Sequence, residues 1–337
     1  MFLKAEYYNP EAAEYLNPET KRRVAIVTGG NSGLGWYTAL HLYLHGYVVY
    51  IAGRTESKVQ KAVQEIKEEA EKRRESYTDE QKASRYVGSL TFIHFDCCDL
   101  KSVEKCAQEF SNRERKLHIL INNAGLMGVP FELTKDGYEI QYQVNFVAPF
   151  LFTLKLLPLL KDTTTDSEPL RVICLSSVGH TAAKSYYSPT DNLNKKPNFF
   201  YTWIRYGNAK TAEIQFMKKL AEVCPDILSF SVHPGVIVDT QLFNYWKNLR
   251  FVGPFAKLGM RFTSTVIGVT QEEGCLATLR AALDKSLLKK DNGAYIETGG
   301  VFGRPSKVAL SQEYANKLWT ENLELLKTKG FNVDLEL

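Results

Sequence analysis

From Val24 to Gly35 the chain passes from an apolar run, VAIVT, through Gly29-Gly-Asn31-Ser32-Gly33-Leu34-Gly35, and a helix pattern continues from Leu34 to His45. A short apolar stretch stopped by two glycines predicts a buried strand over Arg23 to Thr28. Strand, glycine-rich turn and helix N-terminus in direct succession form a site for a pyrophosphate, because missing Cβ atoms let backbone N–H groups approach and the helix dipole favours an anion. The glycine spacing is GxxxGxG, which differs from the GxGxxG of the standard dinucleotide fingerprint. Gly29, Asn31, Ser32, Gly33, Leu34 and Gly35 are therefore the first candidate cofactor contacts. The architecture that uses such a turn is α/β, with a doubly wound parallel sheet flanked by helices in a single domain.

Further strands follow in alternation with helices. The second, Tyr47 to Ala52, ends in Gly53-Arg54-Thr55. At that strand end a carboxylate selects a ribose 2′-hydroxyl and an arginine accommodates a 2′-phosphate; Arg54, with Lys58 as helper, favours NADP(H) over NAD(H). Thr55 to Lys82 reads as one charge-rich helix with a solvated face. Strand three, Leu90 to Phe95, leads into Asp96, a candidate acceptor for an adenine amine, while Asp99 caps the helix from Leu100 to Asn112. Strand four, Leu117 to Ile121, runs into Asn122-Asn123-Ala124-Gly125, where Gly125 lets a flat ligand lie close. A helical region about Tyr138 to Leu160 carries Asn145 among apolar neighbours, either as a satisfied core amide or as a backbone-bonded group that holds a water.

Strand five, Arg171 to Leu175, ends in Ser176-Ser177, at the strand end where open parallel sheets bind ligands. The segment 184–203 is rich in aromatic residues, and an ordered loop roofing a substrate pocket is the reading it suggests. Strand six, Ile227 to Val232, precedes His233-Pro234-Gly235-Val236. Residues 243–269 are apolar and aromatic but broken by Lys247, Arg250, Lys257 and Arg261, so no run there reaches the ~18 residues of a membrane span. A lipid-facing surface and a substrate lid both fit that pattern. A helix from Gln271 to Leu283, a strand near Ala294 to Glu297 and a helix from Gln312 to Lys327 complete the expected fold.

A formal charge of +4 over 337 residues, with basic and acidic side chains interspersed, gives no basic surface for nucleic acid. The six cysteines form no CxxC pair and predict reduced thiols in a cytosol-facing compartment. Cys97 and Cys98, read as strand neighbours on opposite faces, are structural, and no metal site is expected. Residues 1–20 form a polar extension without the apolar core of a secretory signal, followed by one domain over 21–337.

Tyr206 and Lys210 stand four residues apart in a helix pattern running from Tyr206 to Val223. That spacing puts a phenol and an ammonium on one face, and a neighbouring cation favours the phenolate, which makes the pair a proton-transfer device. In chain order, Thr28-Gly29-xxx-Gly33-x-Gly35, Asn122-Asn-Ala-Gly125, Asn145, Ser177, Tyr206-xxx-Lys210 and Pro234-Gly235 resemble the short-chain dehydrogenase/reductase family over about residues 22 to 300. The resemblance implies a Rossmann-type fold and a catalytic set of Asn145, Ser177, Tyr206 and Lys210. Ser177 would hold the substrate oxygen, Tyr206 would exchange its proton, Lys210 would bind the nicotinamide ribose and lower the phenol's pKa, and Asn145 would support a water relay. Pro234, Gly235, Val236 and Thr240 would pack on the nicotinamide, with Asn123, Ala124 and Gly125 among the other cofactor contacts.

Within the family the chain is similar to retinol-dehydrogenase-like and WW-domain-oxidoreductase-like members, and to a fungal member associated with lipid droplets. An NADP(H)-dependent oxidoreductase acting on a lipophilic alcohol or carbonyl is the implied activity. A homodimer and a lipid-droplet or membrane surface are the implied associations. The competing expectation is a lipid-surface scaffold that keeps the fold with little turnover.

Overall fold

The computed structural model describes residues 7–163, 169–191, 193–237 and 269–333. Thr240 and nearly all of 243–269 lie outside the described residues.

Val24–Thr28 forms β1, and every one of its residues is buried. Its alternating side chains serve two separate cores, as expected when helices cover both faces of a parallel sheet. Ala25 and Val27 cluster with Leu40 of α1 (Gly33–Leu44), Val59 and Ile66 of α2 (Glu56–Glu75), and Leu279 of α8 (Gln271–Leu283). Val24 and Ile26 cluster with Val103 and Phe110 of α4 (Leu100–Arg113), Phe150 of α6 (Ala148–Thr163), Phe216 of α7 (Asn198–Val223) and Trp319 of α10 (Gln312–Thr328). The short helices α5 (Ile140–Tyr142) and α9 (Lys307–Leu310) precede α6 and α10.

The remaining strands are β2 (Val48–Gly53), β3 (Ser89–His94), β4 (Ile119–Asn122), β5 (Leu170–Leu175), β6 (Ile227–Val232), β7 (Tyr295–Glu297) and β8 (Val301–Phe302). They form one sheet in the order β3-β2-β1-β4-β5-β6-β7-β8. All neighbours from β3 to β7 are parallel, and β8 runs antiparallel to β7. The order reverses between β1 and β4, so the crevice for a ligand opens at their C-terminal ends. The expected doubly wound α/β sheet is the one observed.

Three boundaries differ from the sequence reading for local reasons. The helix expected over Thr55 to Lys82 breaks after Glu75, and α3 (Asp79–Ser84) starts afresh on a capping box in which Thr78 and Gln81 bond each other's backbone N–H groups. Cys97 and Cys98 lie in the turn after β3, not in a strand, and all six thiols are free. α7 begins at Asn198, eight residues before Tyr206, so the aromatic segment is loop only as far as Pro197. Nothing between Asn198 and Tyr206 breaks a helix, whereas Pro197 suits its start.

Among the described residues Ile140–Thr163 is one helical stretch long and apolar enough to cross a membrane, but most of it is buried inside the protein. Phe150 meets Phe216 and Trp319, and Phe152 meets Phe95, so the stretch serves as a core helix. The N-terminal segment is also tied down: Tyr8 N–H donates to Gly299 O, Leu16 N–H donates to His45 O, and Tyr15 stacks on His45.

One partly buried network joins this N-terminal segment to the sheet. Glu114 accepts two hydrogen bonds from Arg22, at 2.8 and 2.6 Å, and one from the Tyr50 hydroxyl at 2.8 Å. Burial pushes its carboxyl up, but Arg22 and Tyr50 outweigh that and its pKa lies below the ordinary value. Glu114→Gln should lower stability by about 1–3 kcal/mol, read as a shift in the urea midpoint. Because the folded pKa is depressed, the wild-type advantage is present above the unfolded carboxylate range and should fade as pH falls through the folded value.

Candidate active site

The turn after β1 is shaped by two glycines in the left-handed region, Gly29 at φ 65° and Gly33 at φ 58°. A Cβ at Gly33 would meet nothing within 4 Å, so that side of the turn is open. Ser32 is the N-cap of α1, yet no side chain caps the helix, and its first N–H groups remain available to an anion. Gly35 faces the other way, against Asn123 and Gly29, and fixes the turn to the end of β4. Asn123 Nδ2 donates to Thr28 O at 2.7 Å, while the N–H groups of Asn123 and Ala124 each donate to Thr28 Oγ1 at 2.9 Å. The open glycine and the uncapped helix fit a pyrophosphate, and Asn31 lies beside Gly53 at the end of β2.

Arg54 and Lys58 are exposed just beyond β2, and among the described residues no ion pair holds Arg54. Asp96 is partly buried; its Oδ1 accepts from Cys98 N–H at 2.9 Å. Asp99 caps α4 as expected, accepting from Lys101 N–H at 3.0 Å.

The structure brings Asn145, Ser177, Tyr206 and Lys210 to the ends of β4 and β5. Asn145 lies in a π-helical turn, Gln143–Val147, fully buried and bonded to backbone on three sides. Its Oδ1 accepts from Leu126 N–H at 3.0 Å, and its Nδ2 donates to Leu126 O and Gln141 O at 2.9 and 2.8 Å. A Cβ at Gly125 would stand 2.6 Å from Asn145 Oδ1 and 3.8 Å from Lys210 Nζ, which places amide and ammonium around one small residue. Ser177 caps the short helical turn Val178–Ala182, its Oγ accepting from Gly179 N–H at 3.1 Å. A Cβ at Gly179 would stand 2.7 Å from the Tyr206 ring and 3.4 Å from Ser177 Oγ, so hydroxyl and phenol share that corner.

Tyr206 is 7% exposed and Lys210 is 5% exposed. The Lys210 Nζ stands 5.6 Å from the centre of the Tyr206 ring. It donates to Leu175 O at 2.6 Å and to Glu213 Oε1 at 3.0 Å. Burial raises the phenol's pKa; Lys210 and Ser177 pull it down, Glu213 pushes it up, and the net direction is upward. Lys210 lowers the phenol's pKa, as expected, but desolvation outweighs that pull here. Burial also works against the Lys210 ammonium, but Glu213 and Tyr206 more than offset it, and the lysine stays firmly cationic.

Pro234, Gly235 and Val236 follow β6, with Gly235 at φ 95°, and Val236 O accepts from Val269 N–H at 3.2 Å. A separate cavity of about 300 Å³ is lined by Phe131, Leu133, Tyr138, Tyr187 and Leu193 among others. It draws on the aromatic loop but includes neither Ser177 nor Tyr206.

Residues 23–189 match the short chain dehydrogenase family. An uncharacterized oxidoreductase of Schizosaccharomyces pombe is 35% identical over 92% of this chain and 88% of its own. The chain is a short-chain dehydrogenase/reductase. Mouse retinol dehydrogenase 11 is 33% identical over 94% of this chain and 90% of its own. Among solved structures, an uncharacterized Mycobacterium paratuberculosis protein superposes with a TM-score of 0.64 at 23% identity, covering 95% of this chain and 98% of that one. The family uses nicotinamide cofactors and interconverts alcohols and carbonyls.

Two residues beside the short-chain dehydrogenase/reductase site escaped sequence reasoning. Glu213 follows Lys210 by three and Tyr206 by seven, a helical spacing that puts it on their face of the helix. His180 had no sequence signal: its Nδ1–H donates to Ser177 O at 2.7 Å while Nε2 accepts from Ser306 N–H at 3.0 Å. That pairing ties the serine turn to the chain after β8.

Proposed function

We propose that this short-chain dehydrogenase/reductase is an NADP(H)-dependent enzyme interconverting an alcohol and a carbonyl on a lipophilic substrate, with Tyr206 as general acid and base. The observation that carries the reading is the gathering of Asn145, Ser177, Tyr206 and Lys210 beside the Gly29–Gly35 turn, at the point where the strand order reverses. The turn and the N-terminus of α1 would hold the pyrophosphate, Asn123 to Gly125 and Pro234 to Val236 would flank the nicotinamide, and Thr240, outside the described residues, would join them on the strength of the family resemblance alone. When bound, the nicotinamide supplies or accepts the hydride.

The chain's own residues do the rest. Ser177 donates a hydrogen bond to the substrate oxygen and orients it toward Tyr206. In the reductive direction the phenol gives that oxygen its proton; in the oxidative direction the phenolate takes the proton back. Lys210 favours the phenolate electrostatically, and Asn145, fixed on three sides, lines the route by which the proton is replaced. The similarity to a retinol dehydrogenase supports an apolar alcohol or aldehyde as substrate. NADPH oxidation assayed with retinal, medium-chain aldehydes and steroid ketones tests the reading, and absence of turnover on all three classes would refute it.

The cofactor preference rests on Arg54, exposed at the end of β2 with no acid at the turn. Arg54→Ala should weaken NADPH binding about tenfold to a hundredfold, the loss of one charge-assisted hydrogen bond, while NADH binding barely changes. Equal losses for the two cofactors, measured by fluorescence titration, would remove Arg54 from this role. Lipid-surface association belongs to the same reading: Phe199, Phe200 and Trp203 are exposed on the first turns of α7. Flotation with lipid droplets should succeed for the wild type and fail when all three become serine.

A further inference from the structure

Behind the catalytic lysine lies a carboxylate that the proposed mechanism does not use. Glu213 is 2% exposed, and its Oε1 receives the Lys210 ammonium at 3.0 Å. Its second oxygen, Oε2, has no hydrogen-bond partner among the described residues, and the same holds for Ser231 Oγ and the Tyr295 hydroxyl. Cys174, Ser231 and Tyr295 are in register across β5, β6 and β7, so their side chains leave the sheet on one face. That face packs under α7, where Tyr295 clusters with Ile214. The titratable groups around Glu213 are therefore Tyr206 and Lys210 on its own helix, Cys174 from β5 and Tyr295 from β7, the last resting edge-on against His180.

We propose that Glu213 is a positioning residue for Lys210: a buried carboxylate that pins the ammonium against the end of β5 and sets how strongly the neighbouring phenol holds its proton. The inference rests on Tyr206 and Lys210 being the proton-transfer pair. Geometry supplies its core, because a carboxylate three residues along a helix from a lysine, with both side chains out of water, fixes where that lysine sits. Electrostatics supplies the rest: a negative charge beside the ammonium cancels part of the pull that the ammonium exerts on Tyr206. Burial pushes the Glu213 carboxyl up to about 8, with Lys210 drawing it back, so its negative charge is in place in the alkaline range where the phenol titrates.

The test is an ultraviolet titration of tyrosinate in the full chain, comparing wild type, Glu213→Gln, and each of them with Tyr206→Phe added. Glutamine keeps the shape and removes the charge. One tyrosine should ionise at lower pH in Glu213→Gln than in wild type, with about a tenfold change in proton affinity, and the difference should vanish in the Tyr206→Phe backgrounds. An unchanged titration overturns the proposal, as does a change that survives Tyr206→Phe. The measurement needs no turnover, so wild-type protein that reduces no carbonyl would sink the proposed function and leave this result standing. If Glu213→Gln does not fold, carbon-13 NMR of glutamate-labelled protein decides: a glutamate carboxyl titrating well above the rest should move higher still in Lys210→Met. If every glutamate resonance keeps its titration in Lys210→Met, the proposal is overturned.

Discussion

Tyr206→Phe should abolish carbonyl reduction and alcohol oxidation while leaving dinucleotide binding nearly intact. The substitution removes one oxygen from a ring that keeps its place against Gly179, so it opens no cavity and disturbs neither the turn after β1 nor the end of β4. On the proposed mechanism, what disappears is the group that would exchange a proton with the substrate oxygen, a contribution of about 100- to 10,000-fold. Steady-state NADPH oxidation with retinal, beside a fluorescence titration of NADPH, separates the two effects. Full activity in the variant would end the proposed mechanism. The pH dependence of the wild type follows from the direction of the phenol's pKa. Burial holds it above the ordinary tyrosine value, so the phenol form persists through neutrality and the reductive rate should stay level there. The oxidative rate needs phenolate and should climb as the solution becomes alkaline.

Gly35→Ala should weaken the cofactor site more than any other single methyl group added to the turn. A Cβ at that position would stand 2.5 Å from Asn123 Nδ2, 2.5 Å from Gly29 O and 2.9 Å from Gly30 Cα. Two of those neighbours are backbone, and the third is held by its hydrogen bond to Thr28 O, so none yields without moving the turn or the end of β4. Overpacking of this kind costs about 1–3 kcal/mol, and because the displaced atoms belong to the turn proposed to cradle the pyrophosphate, dinucleotide affinity should fall more than about tenfold. Gly33→Ala is the contrasting variant. Its Cβ meets nothing, so its cost is the left-handed backbone, about 1–2 kcal/mol, and the fold should survive. A Gly35→Ala protein with unaltered melting temperature and cofactor affinity would contradict this packing.

The amino-acid sequence carried most of the sheet because the strands of a parallel sheet buried on both faces are near-continuous apolar runs, such as VAIVT and VVYIA, each closed by a turn. It was less informative at helix boundaries. The break after Glu75 depends on a four-residue capping box inside a charge-rich stretch, and the early start of α7 lies in an aromatic segment with no period of its own.

Which residues meet was decided by tertiary structure. Thr28, Gly125, Asn145, Ser177 and Tyr206 are far apart along the chain, and only the reversal of strand order between β1 and β4 brings their elements to one crevice. The chemistry of the meeting was decided there too. Residue types and spacing named a phenol and a cation, but their proton affinities depend on how much water is excluded and which charges remain nearby. Burial raised Tyr206 despite Lys210, and Glu213 took hold of that lysine from behind, because solvation and Coulomb energies are set by three-dimensional surroundings that a one-dimensional pattern does not contain.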